Sequence, residues 1–112
     1  GNEALLKSMF SNLIRNGYLY SMNKKVEIIL EFVENDILVH VETKGEHLTE
    51  EEREKIMIPF FRGQQARQKA SGVGLGLTIV HRILNMHKGS LTYTPMPNQV
   101  NRFTVTLPKA TP

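Results

Sequence analysis

The sequence predicts an α+β fold, a two-layer α/β sandwich with a mixed sheet and its helices on one face. Three observations carry that prediction. Apolar residues recur at three- and four-residue spacing near the start of the chain and again after residue 71, the period of a helix that buries one side. Other segments alternate apolar and polar residues, the period of a half-buried strand. The alternating segments come in two runs, each set apart by helical stretches, so helices are segregated from strands.

In chain order, residues 3–20 read as a helix whose broad apolar stripe is Leu5, Leu6, Met9, Phe10, Leu13 and Ile14. Asn12, Asn16 and Tyr20 recur every four residues and line up along one side of it. Asparagine is a mediocre helix former, so two of them in one line need a reason. Either they are hydrogen-bonded boundary residues, or their carboxamide oxygens serve a hard cation such as Mg²⁺ with its waters and phosphates. Residues 26–32 alternate, with Val26, Ile28, Leu30 and Phe32 on the face expected to be buried and Glu27 and Glu31 on the other. Residues 34–36 form a turn, and Ile37, Val39 and Val41 resume the alternation, which predicts a hairpin. A loop around Gly45 leads to Thr49-Glu50-Glu51-Glu52, a capping box that starts a short helix running to about Met57, before Pro59. Phe60 and Phe61 read as core anchors or as lid contacts, core being the simpler reading, and residues 62–71 as a polar, basic surface loop.

The next helix carries Leu75, Ile79, Ile83, Val80 and Leu84 as its apolar stripe and ends near His87, with Gly89 placed for a left-handed cap. Residues 91–94 and 103–107 complete the strands, with the turn region at residues 95–98. The four histidines share no metal-ligand spacing and read as surface or boundary residues, and no nucleophile–base constellation is present.

Composition narrows the functional classes. At 112 residues the chain is one domain of ordinary globular composition, 40% apolar and 22% charged. It has no cysteine, so neither a disulfide framework nor a thiolate metal site is available, and no apolar run reaches the ~20 residues of a membrane-spanning helix. The chain opens at Gly1 rather than Met, which suggests a domain excised from a longer protein. Net charge is +3, but all 11 acidic residues precede Lys55, while every charged residue from Lys55 onward is basic. A basic second half suits an anionic ligand. Nucleic acid is disfavoured, because the basic residues are not interleaved with aromatics.

Ser71-Gly72-Val73-Gly74-Leu75-Gly76-Leu77-Thr78 sits in that basic half and leads straight into the helix. Glycines let a backbone approach a ligand closely, and a helix N-terminus offers free N–H groups and the positive end of a dipole, which suits a phosphate. A flexible loop preceding a helix is the other reading of the same residues. Two common phosphate loops are excluded: Gly76 is followed by Leu77 rather than Lys, and G-x-G-x-G after a polar loop is not the dinucleotide fingerprint.

Together these landmarks resemble the catalytic ATP-binding domain of sensor histidine kinases, in the superfamily shared with gyrase B, Hsp90 and MutL, and the resemblance covers nearly the whole chain. Residues 12–21 look like the N box, residues 56–63 like the F box, and Gly72-Val73-Gly74-Leu75-Gly76-Leu77 is an intact G2 box. The resemblance implies a Bergerat-type sandwich holding ATP and Mg²⁺ under a lid at residues 62–74. Asn16 matches the Mg²⁺ ligand, Asn12 the preceding asparagine, Tyr20 a position flanking the nucleotide, and Arg62 a lid arginine that neutralises phosphate charge during transfer. Gly72, Val73, Gly74, Leu75, Gly76 and Leu77 match the phosphate cradle, and Phe60 belongs to the F box.

The G1 box, Asp-x-Gly-x-Gly in the family, aligns with Thr43-Lys44-Gly45-Glu46-His47, so Thr43 stands where a carboxylate accepts the adenine amine and His47 where a glycine is usual. Gly17 replaces a common alanine and Leu19 a basic residue. The resemblance further implies an upstream histidine-containing dimerisation domain, a response regulator receiver as later acceptor, a monomeric isolated domain within a homodimeric whole, and a cytoplasmic location in a membrane-anchored sensor. None of the four histidines is followed by Glu, as the family's acceptor commonly is, so the fragment itself is expected not to self-phosphorylate. The altered G1 box leaves an alternative, a degenerate domain with weak or no nucleotide binding that acts as an interaction or phosphatase-biasing module.

Overall fold

The computed structural model describes residues 3–57 and 73–109. In chain order the elements are α1 (Glu3–Tyr20), β1 (Val26–Val33), β2 (Asp36–Lys44), α2 (Glu50–Met57), α3 (Val73–Met86), β3 (Ser90–Met96) and β4 (Val100–Pro108). This is the expected α+β order. Residues 58–72, which hold Phe60, Phe61, Arg62 and Gly72, lie outside the described residues.

The four strands stand in the order β1-β2-β4-β3. Where the sequence predicts a mixed sheet, all three described pairings are antiparallel. Each hairpin contributes its second strand to the middle of the sheet, and there β2 and β4 run in opposite directions. Their register sets Val39 opposite Val105 and Val41 opposite Phe103. Directly opposite residues point to the same face, so the apolar positions of both hairpins share one side. On that side Val39, Val41, Leu91, Tyr93 and Val105 pack against Met9 and Leu13 of α1 and Leu77, Val80, Ile83 and Leu84 of α3. The result is two layers around one core.

Two apolar stripes differ from the sequence expectation. In α3 the buried line is Leu77, Val80 and Leu84 with Ile83 beside it, whereas Ile79 is exposed. The helix leans on both α1 and the sheet, and Leu77 lies on the face between those neighbours. In β1, Ile28, Leu30 and Phe32 are 45%, 59% and 65% exposed although they lie on the helix side. Helix α1 lies over β2 and α3 and meets the edge strand near its start, where Val26 packs on the core. The alternation is real, but the helix layer stops short of it.

The opposite face of the sheet carries His40, buried rather than peripheral. Its central position on β2 leaves it between two strands. Its Nε2–H donates to Glu31 Oε1 at 2.9 Å, and its Nδ1 shares a 2.8 Å hydrogen bond with Thr104 Oγ1. Beside it Arg102 grips Glu42 at 2.6 and 2.5 Å through Nε and Nη2.

Helix α3 ends in a Schellman arrangement, with Gly89 N–H donating to Leu84 O at 2.8 Å and Lys88 N–H to Asn85 O at 3.3 Å. The left-handed residue is Lys88, with φ of 58°, not Gly89 as the sequence suggests. Glycine is required at 89 for a different reason: a Cβ there would sit 2.6 Å from the Thr106 carbonyl oxygen and 2.8 Å from Leu107 Cδ2. The close approach seats α3 against β4. Gly89→Ala should therefore cost on the order of 1–3 kcal/mol through overpacking, whereas Lys88→Gly relieves a left-handed side chain and should be neutral or stabilising by up to about 1 kcal/mol. Urea unfolding of the two variants checks this, and the opposite ranking would return the cap role to Gly89.

Candidate functional site

Between the helix layer and one end of the sheet lies a cavity of about 410 Å³, within the range of small-molecule sites. Helix α1 contributes Leu13, Asn16 and Gly17; β2 contributes Val41 and Thr43; α3 contributes Leu77; and β4 contributes Asn101 and Phe103. The connection from β2 into α2 closes one side with Glu46, His47, Leu48 and Thr49, and α2 adds Glu52.

Local sequence explains each wall. Leu13 is fully part of the core stripe of α1, so residues three and four positions on, Asn16 and Gly17, stand at the edge of that stripe and face the opening. Asn16 makes no side-chain hydrogen bond among the described residues and is half-buried. Asn12 is not among the lining residues, and its Nδ2 donates to Ser8 O at 2.8 Å along its own helix. The two asparagines of the line are thus placed differently. The side chain of Tyr20 lies outside the described residues.

The capping box forms as the sequence predicts. Thr49 N–H donates to Glu52 Oε1 at 2.8 Å, and Glu52 N–H donates to Thr49 Oγ1 at 3.1 Å. This fixes where α2 begins, and so the path of the connection that borders the cavity. Gly45 N–H donates to Gln99 O at 2.7 Å, and His47 Nε2–H donates to Met96 O at 2.8 Å. His47 is thereby tied to the end of β3.

Two residues that sequence reasoning missed hold the rest. Asn101 is buried, donates from Nδ2 to Gly45 O and Glu46 O at 3.3 and 3.0 Å, and accepts on Oδ1 from the Tyr93 hydroxyl. That hydroxyl accepts in turn from Leu48 N–H at 3.0 Å. The signal was available in the pattern of β4. Asn101, Phe103, Val105 and Leu107 alternate onto one face, and a carboxamide leading an otherwise apolar inward row needs buried partners.

Thr43 stands directly opposite Asn101 and is buried on the same face. Its methyl explains the neighbouring glycine, because a Cβ on Gly17 would lie 3.1 Å from Thr43 Cγ2 and 3.8 Å from Val26 Cγ2 and Val41 Cγ1. Thr43 and Gly17 are complementary in volume. Glu42, one residue away, faces the other side of the sheet and is held by Arg102. Helix α3 already includes Gly74 and Gly76, so the glycine stretch is at least partly its first turn, where N–H groups lack intrahelical partners. The side chains at residues 73–76 lie outside the described residues. Among the described residues no three His, Cys, Asp or Glu side chains group as a metal site, and no helix is long and apolar enough to cross a membrane.

Residues 1–111 match the family described as histidine kinase-, DNA gyrase B- and HSP90-like ATPases, and the chain belongs to that family. Within it the resemblance is to the sensor histidine kinases. The chain is 34% identical over 109 residues to the sensor histidine kinase CpxA of Escherichia coli K12, an alignment covering 96% of this chain and 24% of CpxA. It is 32% identical over 111 residues to the sensor-like histidine kinase SenX3 of Mycolicibacterium smegmatis, covering 97% of this chain and 29% of SenX3. A solved catalytic domain of histidine kinase ThkA superimposes with a TM-score of 0.79 at 29% identity, covering 97% of this chain and 69% of that one. The chain thus spans about a quarter of the length of the sensor proteins it matches.

The contact between residues 17 and 43 is testable. Alanine favours a helix over glycine by about 1 kcal/mol, but here its Cβ meets the Thr43 methyl at 3.1 Å. Gly17→Ala should gain little in the natural chain and about 1 kcal/mol in a Thr43→Ser background. Urea unfolding of the four proteins measures the coupling, and equal effects in both backgrounds would remove it.

Proposed function

We propose that this domain binds ATP with Mg²⁺ in the cavity bounded by α1, α2, α3 and the sheet, and presents the γ-phosphoryl group to a histidine on a separate dimerisation domain, for later transfer to a response regulator receiver. The observation that supports it best is the cavity itself. Its lining joins an uncommitted carboxamide from α1, apolar walls from Leu13, Val41, Leu77 and Phe103, and the side of α3 whose first turn includes Gly74 and Gly76.

The donor chemistry suits the ion. Asn16 offers a single hard oxygen rather than a cage, which fits Mg²⁺ held mainly by phosphate oxygens and waters. The ion would neutralise phosphate charge and align the triphosphate. On this reading Asn16 orients the metal-bound phosphates, Leu13, Val41, Leu77 and Phe103 receive the base, and the backbone N–H groups of Val73, Gly74, Leu75 and Gly76 face the phosphates. Gly72 extends that cradle, Arg62 balances charge on the transferring group, and Phe60, Gly45 and Tyr20 border the nucleotide as the resemblance implies. Asn12 supports the N-box helix beside them. The whole protein is then a membrane-anchored, homodimeric sensor with this domain on its cytoplasmic side, the domain alone being monomeric.

Calorimetric titration with ADP and a non-hydrolysable ATP analogue tests the site. Binding should depend on Mg²⁺, and Asn16→Ala should weaken it at least about tenfold, or 1.4 kcal/mol. Absence of binding at millimolar nucleotide by the folded domain would favour the degenerate interaction module. A second measurement concerns the acceptor. Incubated with ATP and Mg²⁺, the fragment should gain no acid-labile phosphate, and stoichiometric labelling would place the acceptor within this chain.

A further inference from the structure

We propose that the base end of this cavity accepts 6-oxo purine nucleotides, such as those of hypoxanthine, about as readily as adenine nucleotides, and that the Thr43 hydroxyl is the group that permits it. The inference rests on the nucleotide-binding reading above and adds the base specificity of the same site.

The buried polar floor of the cavity consists of Thr43 and Asn101, side by side on adjacent strands. Asn101 has its protons and its oxygen engaged: Nδ2 by the carbonyls of Gly45 and Glu46, Oδ1 by the Tyr93 hydroxyl. These partners also fix which way the amide is turned. Thr43 makes no side-chain hydrogen bond among the described residues, so its hydroxyl is the uncommitted polar group of the floor. Its methyl faces Gly17, where an added Cβ would lie 3.1 Å from it, and the hydroxyl proton can turn about the C–O bond.

The carboxylates near the cavity are either paired elsewhere or exposed at its rim. Glu52 accepts from Thr49 N–H in the helix cap, Glu42 lies on the opposite face in its pair with Arg102, and Glu46 is exposed at the rim. The floor is therefore neutral. A carboxylate only accepts hydrogen bonds, so at this position it rewards a 6-amino group and opposes a 6-carbonyl oxygen. A hydroxyl donates or accepts as its proton rotates. With the amine of adenine it accepts; with the carbonyl of hypoxanthine it donates. Discrimination at the 6-position comes from leaving a buried polar group without a partner, and a rotatable hydroxyl leaves neither the 6-amine nor the 6-carbonyl in that state.

ADP and inosine diphosphate differ at this edge of the ring, so titration of the 112-residue chain with each, in Mg²⁺, reads the effect. The two dissociation constants should agree within about fivefold, and Thr43→Asp should shift their ratio at least about tenfold toward ADP. Thr43→Val, which keeps the branched shape, should weaken both nucleotides alike and serves if the aspartate variant does not fold. A preference of the natural chain for ADP above about fiftyfold, or a valine variant that binds both unchanged, overturns this inference alone. Failure of both nucleotides to bind the folded chain overturns the nucleotide reading and this inference with it.

Discussion

The cavity depends on the chain of hydrogen bonds that runs from Leu48 N–H through the Tyr93 hydroxyl to Asn101 and on to the carbonyls of Gly45 and Glu46. Residues 45–49 have no strand or helix of their own, so their backbone groups need partners from elsewhere. Asn101 and Tyr93 supply them from the two strands that close the fold. The same tie joins β3 and β4 to the β2–α2 connection, which the capping box then turns into α2. The bonds made by Gly45 N–H and His47 add to it on the same wall, opposite Asn16. The tilted stack of Tyr93 on Phe103, with centroids 5.2 Å apart, sets the phenol at the height where its hydroxyl reaches both partners.

Much of this was legible in the sequence because it is local. The α1 stripe, the capping box and the alternation of β2 depend on residues within one or two turns of each other, and all form as their patterns predict. Asn16 at the cavity edge follows from helical geometry once Leu13 is placed in the core. What was not legible depends on neighbours distant in the chain. Nothing in the alternation of Ile28, Leu30 and Phe32 states whether a helix reaches them. His40 is buried because Glu31 and Thr104 close around it from two other strands. Lys88 takes the left-handed position because the 6→1 bond closes at Gly89 rather than at Lys88, which the residue types alone do not state. Tyr93 and Asn101 carry no motif, and only the inward face of Asn101 marked it.

The charge division of the sequence is partly consumed by the fold. Arg102, from the basic half, is neutralised by Glu42 from the acidic half, and the acids at residues 50–52 serve the N-terminus of α2. The basic character that remains for an anion is concentrated in Arg62, Arg67 and Lys69, just ahead of the G2 glycines. In sequence, basic residues precede the stretch that opens α3, while the cavity floor formed by Thr43 and Asn101 is neutral.

The fit between Gly17 and Thr43 bears on how such a floor changes over time. A chain with alanine at 17 and a carboxylate at 43 cannot reach this one through two independent steps of equal ease. Introducing the threonine first sets two methyl groups 3.1 Å apart; introducing the glycine first gives up helix propensity with no methyl to occupy the space. With the coupling predicted above, the two positions act as a pair across 26 residues of sequence, and what a change at one gains or loses depends on the residue at the other.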